Sequence, residues 1–280
     1  MYNYRVKKPY RRAFIELTNV CNLACGFCAR SARPAQAMPL KLFTAAAAQA
    51  GELAEMLSLH VLGEPLTHPD LPAALKACSG LWLKVNLVTN GLLLGKFPPE
   101  LFAEPCLAQV SISLHALSCL PPADRPAEIR RLAAFALAKP PGLIISFRLR
   151  SAHEDDFFRT TLKELLACFQ RTMEPGASFV KLADGVFLNF GGVFQWPGGA
   201  AGAVKTGCLG LKHHFGILSD GRVVPCCADY DGNLAFGNIE ERPLALILSS
   251  PEAAALKARL AGACSLPGYC ASCGFTAPDA

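Results

Sequence analysis

The stretch CNLACGFC, Cys21–Cys28, follows the apolar run AFIEL (Ala13–Leu17) and sets three cysteines at C-x3-C-x2-C spacing. A structural zinc site takes four ligands, and so does an ordinary four-iron, four-sulfur cluster. Three thiolates on one short loop would hold three irons of such a cluster and leave the fourth open to an outside ligand. Gly26 would ease the close turn that this needs. Core packing does not explain thiols at this density.

The rest of the composition agrees with a cluster protein. Thirteen cysteines in 280 residues are many; the number is odd, and most lie towards the two ends. That pattern points to metal or cluster binding in a reducing cytoplasm, not to a disulfide framework. Apolar residues make up 52% and charged residues 18%, so a large core is expected and disorder is not. A net charge of +5 is too small and dispersed for a nucleic-acid protein. The basic run RVKKPYRR, Arg5–Arg12, reads as a solvated arm. No apolar signal region follows it before Glu16. The longest uncharged run, Gly185–Val204, holds six glycines and Pro197, which is loop chemistry and not a membrane helix.

Short β-like runs alternate with helical ones. Strands are expected at Ala13–Leu17, Ser58–Leu62, Leu83–Thr89, Ala108–His115 and Leu143–Leu149, with a sixth within FVKLADGVFLNF. Helical segments are expected at Leu40–Leu57, Asp70–Ser79, Pro99–Ala103, Ala123–Lys139 and Asp156–Arg171. The repeat predicts an α/β fold with a parallel sheet or partial barrel. Reactive groups in such folds gather at the C-terminal strand ends. The cysteine loop, Gly63-Glu64, Asn90, His115 and the pair Arg148 and Arg150 all fall there. The glycine-rich stretch Gly191–Gly207 marks a boundary, giving domains 1–200 and 201–280.

CNLACGFC resembles the signature of the radical S-adenosylmethionine (radical SAM) superfamily, and further motifs follow in that family's order. LGEPLTHPDL resembles its glycine–glutamate motif, with Leu62 where the first glycine of the pair usually stands. VTNG and SISLH resemble the segments that line the cofactor's ribose and carboxylate. The resemblance implies a partial (β/α)6 TIM-like barrel with a small C-terminal auxiliary-cluster domain. It implies a [4Fe-4S] cluster on Cys21, Cys25 and Cys28, with S-adenosylmethionine on the open iron. Phe27, Gly63, Glu64, Asn90, Ser113 and His115 would contact that cofactor. Arg148 or Arg150 would pair with its carboxylate, alternation putting both on one face.

The tail resembles the SPASM and shorter twitch domains of the same superfamily. Six cysteines lie there, fewer than the full two-cluster form needs, so one auxiliary [4Fe-4S] cluster is expected on Cys208, Cys226, Cys270 and Cys273. Cys264 is the reserve ligand and Cys227 a packed thiol. A zinc ribbon would use the same four ligands. Cys78, Cys106, Cys119 and Cys168 are expected to pack as small hydrophobes. The expected activity is hydrogen abstraction from a small molecule, with the auxiliary cluster as electron acceptor and a flavodoxin or ferredoxin as reductant. Peptide, protein or tRNA modification is the alternative, and a non-catalytic cluster or zinc protein a third reading. No membrane partner is expected.

Overall fold

The structure, a computed structural model, describes residues 7–151, 153–174, 176–198, 208–262 and 265–275. Five parallel strands follow the expected order: β1 (Tyr10–Ile15), β2 (Ala54–Leu59), β3 (Val85–Thr89), β4 (Leu107–Ser113) and β5 (Ile144–Arg150). Between them lie α1 (Leu40–Leu53), α2 (Leu71–Gly80) and α3 (Arg125–Leu137). After β5 come α4 (Asp156–Cys168) and a hairpin of β6 (Phe179–Ala183) and β7 (Val186–Gly191). β7 pairs parallel with β5 and is the sixth barrel strand. Phe43, Phe147 and Phe215 are fully buried in the core.

Several boundaries differ from the sequence reading. The helix expected over Leu40–Leu57 stops at Leu53, and β2 begins at the next residue. Leu53-Ala54-Glu55-Met56 carries no glycine or proline to mark the switch; pairing of Ala54 with Tyr10 and of Met56 with Arg12 decides it. His60, Val61 and Leu62 thereby leave the strand and enter the loop above it. Tyr10, Arg11 and Arg12 are not a solvated arm. They open β1, with Tyr10 buried and edge-on to Phe215 at 5.0 Å.

The tail is joined to the same sheet. β8 (His214–Ile217) runs parallel beside β1, and β9 (Val223–Val224) pairs antiparallel with β8. The helices α5 (Leu244–Leu248), α6 (Pro251–Leu260) and α7 (Gly268–Ala271) follow. The nine-stranded order is β6-β7-β5-β4-β3-β2-β1-β8-β9. The proposed division at 200/201 falls outside the described residues.

One buried carboxylate organises this junction. Glu16, just after β1, is fully buried and accepts both its 2.7 Å hydrogen bonds from Arg33 Nη2. Ser219, beyond β8, donates to it from its backbone N–H at 3.0 Å and its hydroxyl at 2.9 Å. Removing one partner of a buried ion pair strands the other charge, at a cost of about 3–5 kcal/mol. Glu16→Ala should therefore lose about that much unfolding free energy in urea titration, whereas Arg130→Ala, breaking a surface pair, should lose about 1 kcal/mol or less.

Candidate active site

The cysteine loop is clamped by the loop after β2. The Glu64 backbone N–H donates to Val20 O at 2.8 Å. Gly63 makes this approach possible, since its φ is +71° and an added Cβ would sit 2.2 Å from Thr18 O. Gly26 has no such need: an added Cβ there meets nothing within 4 Å. The glycine required for the close approach is thus on the partner loop.

Glu64 is buried and both carboxylate oxygens are engaged. One accepts from the Leu66 N–H at 3.0 Å, the other from the Asn90 N–H at 2.7 Å. Burial pushes its pKa up, and these N–H bonds oppose that. Asn90, at the end of β3, donates from its side chain to Asn22 Oδ1 at 2.8 Å and lies 3.9 Å from Cys21 Sγ. The strand ends therefore fix the cysteine loop by direct bonds.

Cys21, Cys25 and Cys28 line one wall of a cavity of about 870 Å³. Burial raises the Cys25 thiol first, followed by a hydrogen bond with Cys119 and the nearby Cys28 and Cys21. Cys119 departs from expectation: it is exposed and faces the cluster loop instead of packing in the core. Cys78 and Cys106 are buried, and Cys168 is half-buried against the core.

Gly63, Asn90, Ser113, His115, Arg148 and Arg150 line the same cavity, as Phe27 does. The Phe27 ring tilts against His115 at 5.0 Å, and its carbonyl accepts from Trp196 Nε1 at 2.9 Å. His115 contacts the Arg148 carbonyl through Nδ1 at 3.3 Å. Burial lowers the His115 pKa to about 4. Arg148 donates to Ser111 Oγ at 3.0 Å, and that hydroxyl donates to Asn86 Oδ1 at 2.9 Å. Val193, Phe194 and Trp196, beyond β7, also line the cavity, so FLNFGGVFQW contributes a wall.

A second cavity, of about 340 Å³, is lined by Cys208, Cys226, Cys227, Cys270 and Cys273. The turn from Cys270 to Cys273 closes with an N–H···O bond of 3.1 Å. Cys264 lies outside the described residues. Cys227 does pack against a small apolar cluster around Phe14, but it also lines both cavities. Sequence reasoning missed that, and missed Arg12, which lines the second cavity and lies within charge range of Cys227 and Arg148. Among the described residues, no group of three His, Cys, Asp or Glu side chains is drawn tightly enough to hold a single metal ion. The donor chemistry, four thiols on one cavity and five on the other with Cys227 shared, is the soft set that iron–sulfur ligation uses.

Comparison with known proteins agrees with this chemistry. Residues 15–134 match the radical SAM superfamily, and residues 208–274 match SPASM, an iron–sulfur cluster-binding domain. Radical SAM domains bind a [4Fe-4S] cluster and S-adenosylmethionine, and SPASM domains bind additional iron–sulfur clusters. A curated relative, PqqA peptide cyclase of Rhizobium meliloti (strain 1021), is 34% identical over 114 residues. That match spans 39% of this chain and only 30% of the relative. Among solved structures, BtrN in complex with AdoMet and 2-DOIA has a TM-score of 0.59 at 14% identity, covering 96% of this chain and 95% of BtrN. Streptococcus suis SuiB bound to precursor peptide SuiA has a TM-score of 0.58 at 17% identity, covering 95% of this chain and 70% of SuiB. Native anSMEcpe with bound AdoMet and Cp18Cys peptide reaches 0.62 at 13%, covering 95% of this chain and 88% of that one. At these identities the likeness is one of fold.

The low pKa of His115 gives a pH test. Its ordinary value is 6.5, so the unfolded chain takes up this proton first as pH falls. Stability should therefore decline between about pH 6.5 and 4. Urea titrations across that window should show a shallower decline for His115→Gln than for the parent.

Proposed function

We propose that this chain, a radical SAM protein with a SPASM domain, abstracts hydrogen from a small-molecule substrate and oxidises it. The observation that carries the reading is that one cavity has the three loop cysteines on one side and Cys227, next to Cys226 of the tail, on another. When bound, the loop cluster with S-adenosylmethionine supplies a 5′-deoxyadenosyl radical, and the tail cluster supplies an electron acceptor. Cys21, Cys25 and Cys28 hold the first cluster. Cys208, Cys226, Cys270 and Cys273 hold the second.

Glu64 is the partner for the cofactor's amino group. Both its oxygens already accept a backbone N–H, which fixes their orientation, and a carboxylate has further lone-pair sites to offer. Gly63 and Asn90 hold the loops around it. Phe27, Ser113 and His115 wall the cofactor's side of the cavity, and Arg148 or Arg150 meets its carboxylate. Trp196, bonded to the Phe27 carbonyl, helps exclude water. A flavodoxin or ferredoxin is the reductant we expect. No helix among the described residues is long and apolar enough to cross a membrane, and we place the protein in the cytoplasm.

A second reading, modification of a peptide, is favoured by the PqqA peptide cyclase match and by the peptide-bound SuiB and anSMEcpe neighbours. The 870 Å³ cavity must also take the loop cluster and S-adenosylmethionine, and the smaller space that this leaves favours the first.

Changing Cys21, Cys25 and Cys28 together to alanine should abolish deoxyadenosine formation from S-adenosylmethionine; formation at the parent rate would end the radical reading. Cys270→Ala with Cys273→Ala should remove about four irons per chain. Deoxyadenosine should still form in that variant while oxidised product is lost, once circular dichroism has shown a native fold. Glu64→Ala should weaken S-adenosylmethionine binding by about 1.5–3 kcal/mol, read by calorimetry.

A further inference from the structure

The cavity holds more positive charge than its protein partners balance. Arg148 and Arg150 line it from the end of β5, and Arg12 lies behind, within charge range of Arg148. Among the described residues, none of these three guanidiniums pairs with a carboxylate; the ion pairs belong to Arg33, Arg130, Arg131, Arg159, Lys181 and Arg222. Arg148 donates to Ser111 Oγ at 3.0 Å and Arg150 to Asn189 O at 3.2 Å. A guanidinium has five N–H donors, so among the described residues most of those on each arginine meet no protein acceptor. Among the described residues, Glu64 alone brings a carboxylate to the cavity lining, and its oxygens already accept from Leu66 and Asn90.

Grouping like charges in a half-buried wall is costly unless a ligand brings the opposite charge. Burial, followed by repulsion from Arg12 and from Arg150, lowers the Arg148 pKa to about 10, the direction expected of such a wall. S-Adenosylmethionine carries one carboxylate, which accounts for one arginine. The second guanidinium remains, with the field of Arg12 behind it.

We propose that the substrate is a small anion, held through a carboxylate or phosphate group by whichever of Arg148 and Arg150 the cofactor does not engage. This rests on the reading of the cavity as a radical active site and adds the chemical class of what enters it. Planar guanidiniums suit bidentate carboxylate and phosphate recognition, which would also fix the reacting carbon relative to the cysteine loop.

The test uses full-length, cluster-reconstituted protein under anaerobic conditions with saturating S-adenosylmethionine. Citrate and inorganic pyrophosphate are the anionic probes, myo-inositol is the neutral one, and sodium chloride holds ionic strength constant. Calorimetry should show one of the anions binding, and which of the two binds separates carboxylate from phosphate. Inositol should not bind. Arg148→Leu and Arg150→Leu are both measured; at least one should weaken anion binding tenfold or more. Lysine at that position should restore part of it, and Arg130→Leu should change nothing. Equal binding by the parent and both leucine variants would overturn the proposal. So would competition between anion and S-adenosylmethionine, because both arginines would then serve the cofactor. Near-UV circular dichroism identifies any leucine variant that has lost its fold, and the lysine variants then carry the comparison. Deoxyadenosine formation is measured on the same preparations. Its absence would count against the radical reading, while the anion-binding result would stand separately.

Discussion

Both cavities depend on the way Glu16 is buried. This carboxylate ends the first strand, where the chain turns into the cysteine loop. It is bonded to Arg33 at the far side of that loop and to Ser219 in the turn after β8. Leu62, from the loop above β2, donates to it at 3.4 Å. Three segments distant in sequence thus meet on one charge. Asp231 extends the network by accepting from the Ala32 N–H at 3.3 Å, while Arg33 Nε lies 4.0 Å away. A buried pair of this kind adds little net stability over an apolar replacement. Its value here is in position: a misplaced loop would leave Glu16 or Arg33 unpaired in the interior.

Much of this architecture was legible in the chain because its signals are local. The strand-and-helix alternation gave the first five strands to within a few residues, except where helix passes to β2 without a breaker. The C-x3-C-x2-C loop carries its meaning in spacing, and the Gly63-Glu64 pair in its resemblance to a family motif. What stayed hidden depends on pairing at long range. Arg12 read as part of a basic arm because nothing adjacent shows that β8 will cover that strand. Cys119 read as core because its neighbours are apolar, yet the turn after β4 brings it to Cys25. Nothing adjacent to Glu16 in the chain marks it as a buried charge, since its partners lie 17 and 203 residues away.

The polar side of the sheet explains why the cavity can carry charge at all. Ser58, Asn86 and Ser111 are buried and linked across β2, β3 and β4, with Gln109 also donating to Ser111 at 2.8 Å. Ser146 and Asn189 continue the pattern on β5 and β7 at 2.9 Å. These groups satisfy one another, so the ladder costs little. It ends at Arg148, whose hydrogen bond to Ser111 spends a single donor. The guanidinium is thus held through Nη2 on one side, and its other nitrogens donate to no protein acceptor among the described residues.

The distance between the two thiolate sets is also set by contacts across the cavity. Trp196 bonds the Phe27 carbonyl within the cysteine loop and packs edge-on to Tyr230 of the tail at 5.3 Å. Phe194 meets Trp196 at 5.1 Å and lines both cavities. The segment after β7 is therefore a strap that touches the loop on one side and the tail on the other. Electron transfer between two centres depends on their separation, so a strap that fixes both would matter for chemistry as well as for shape. Because the strap forms a wall of the same cavity, a substrate seated there would bear on the residues that join the two centres. Substrate fit and the spacing of the two cysteine sets would then be linked through that wall.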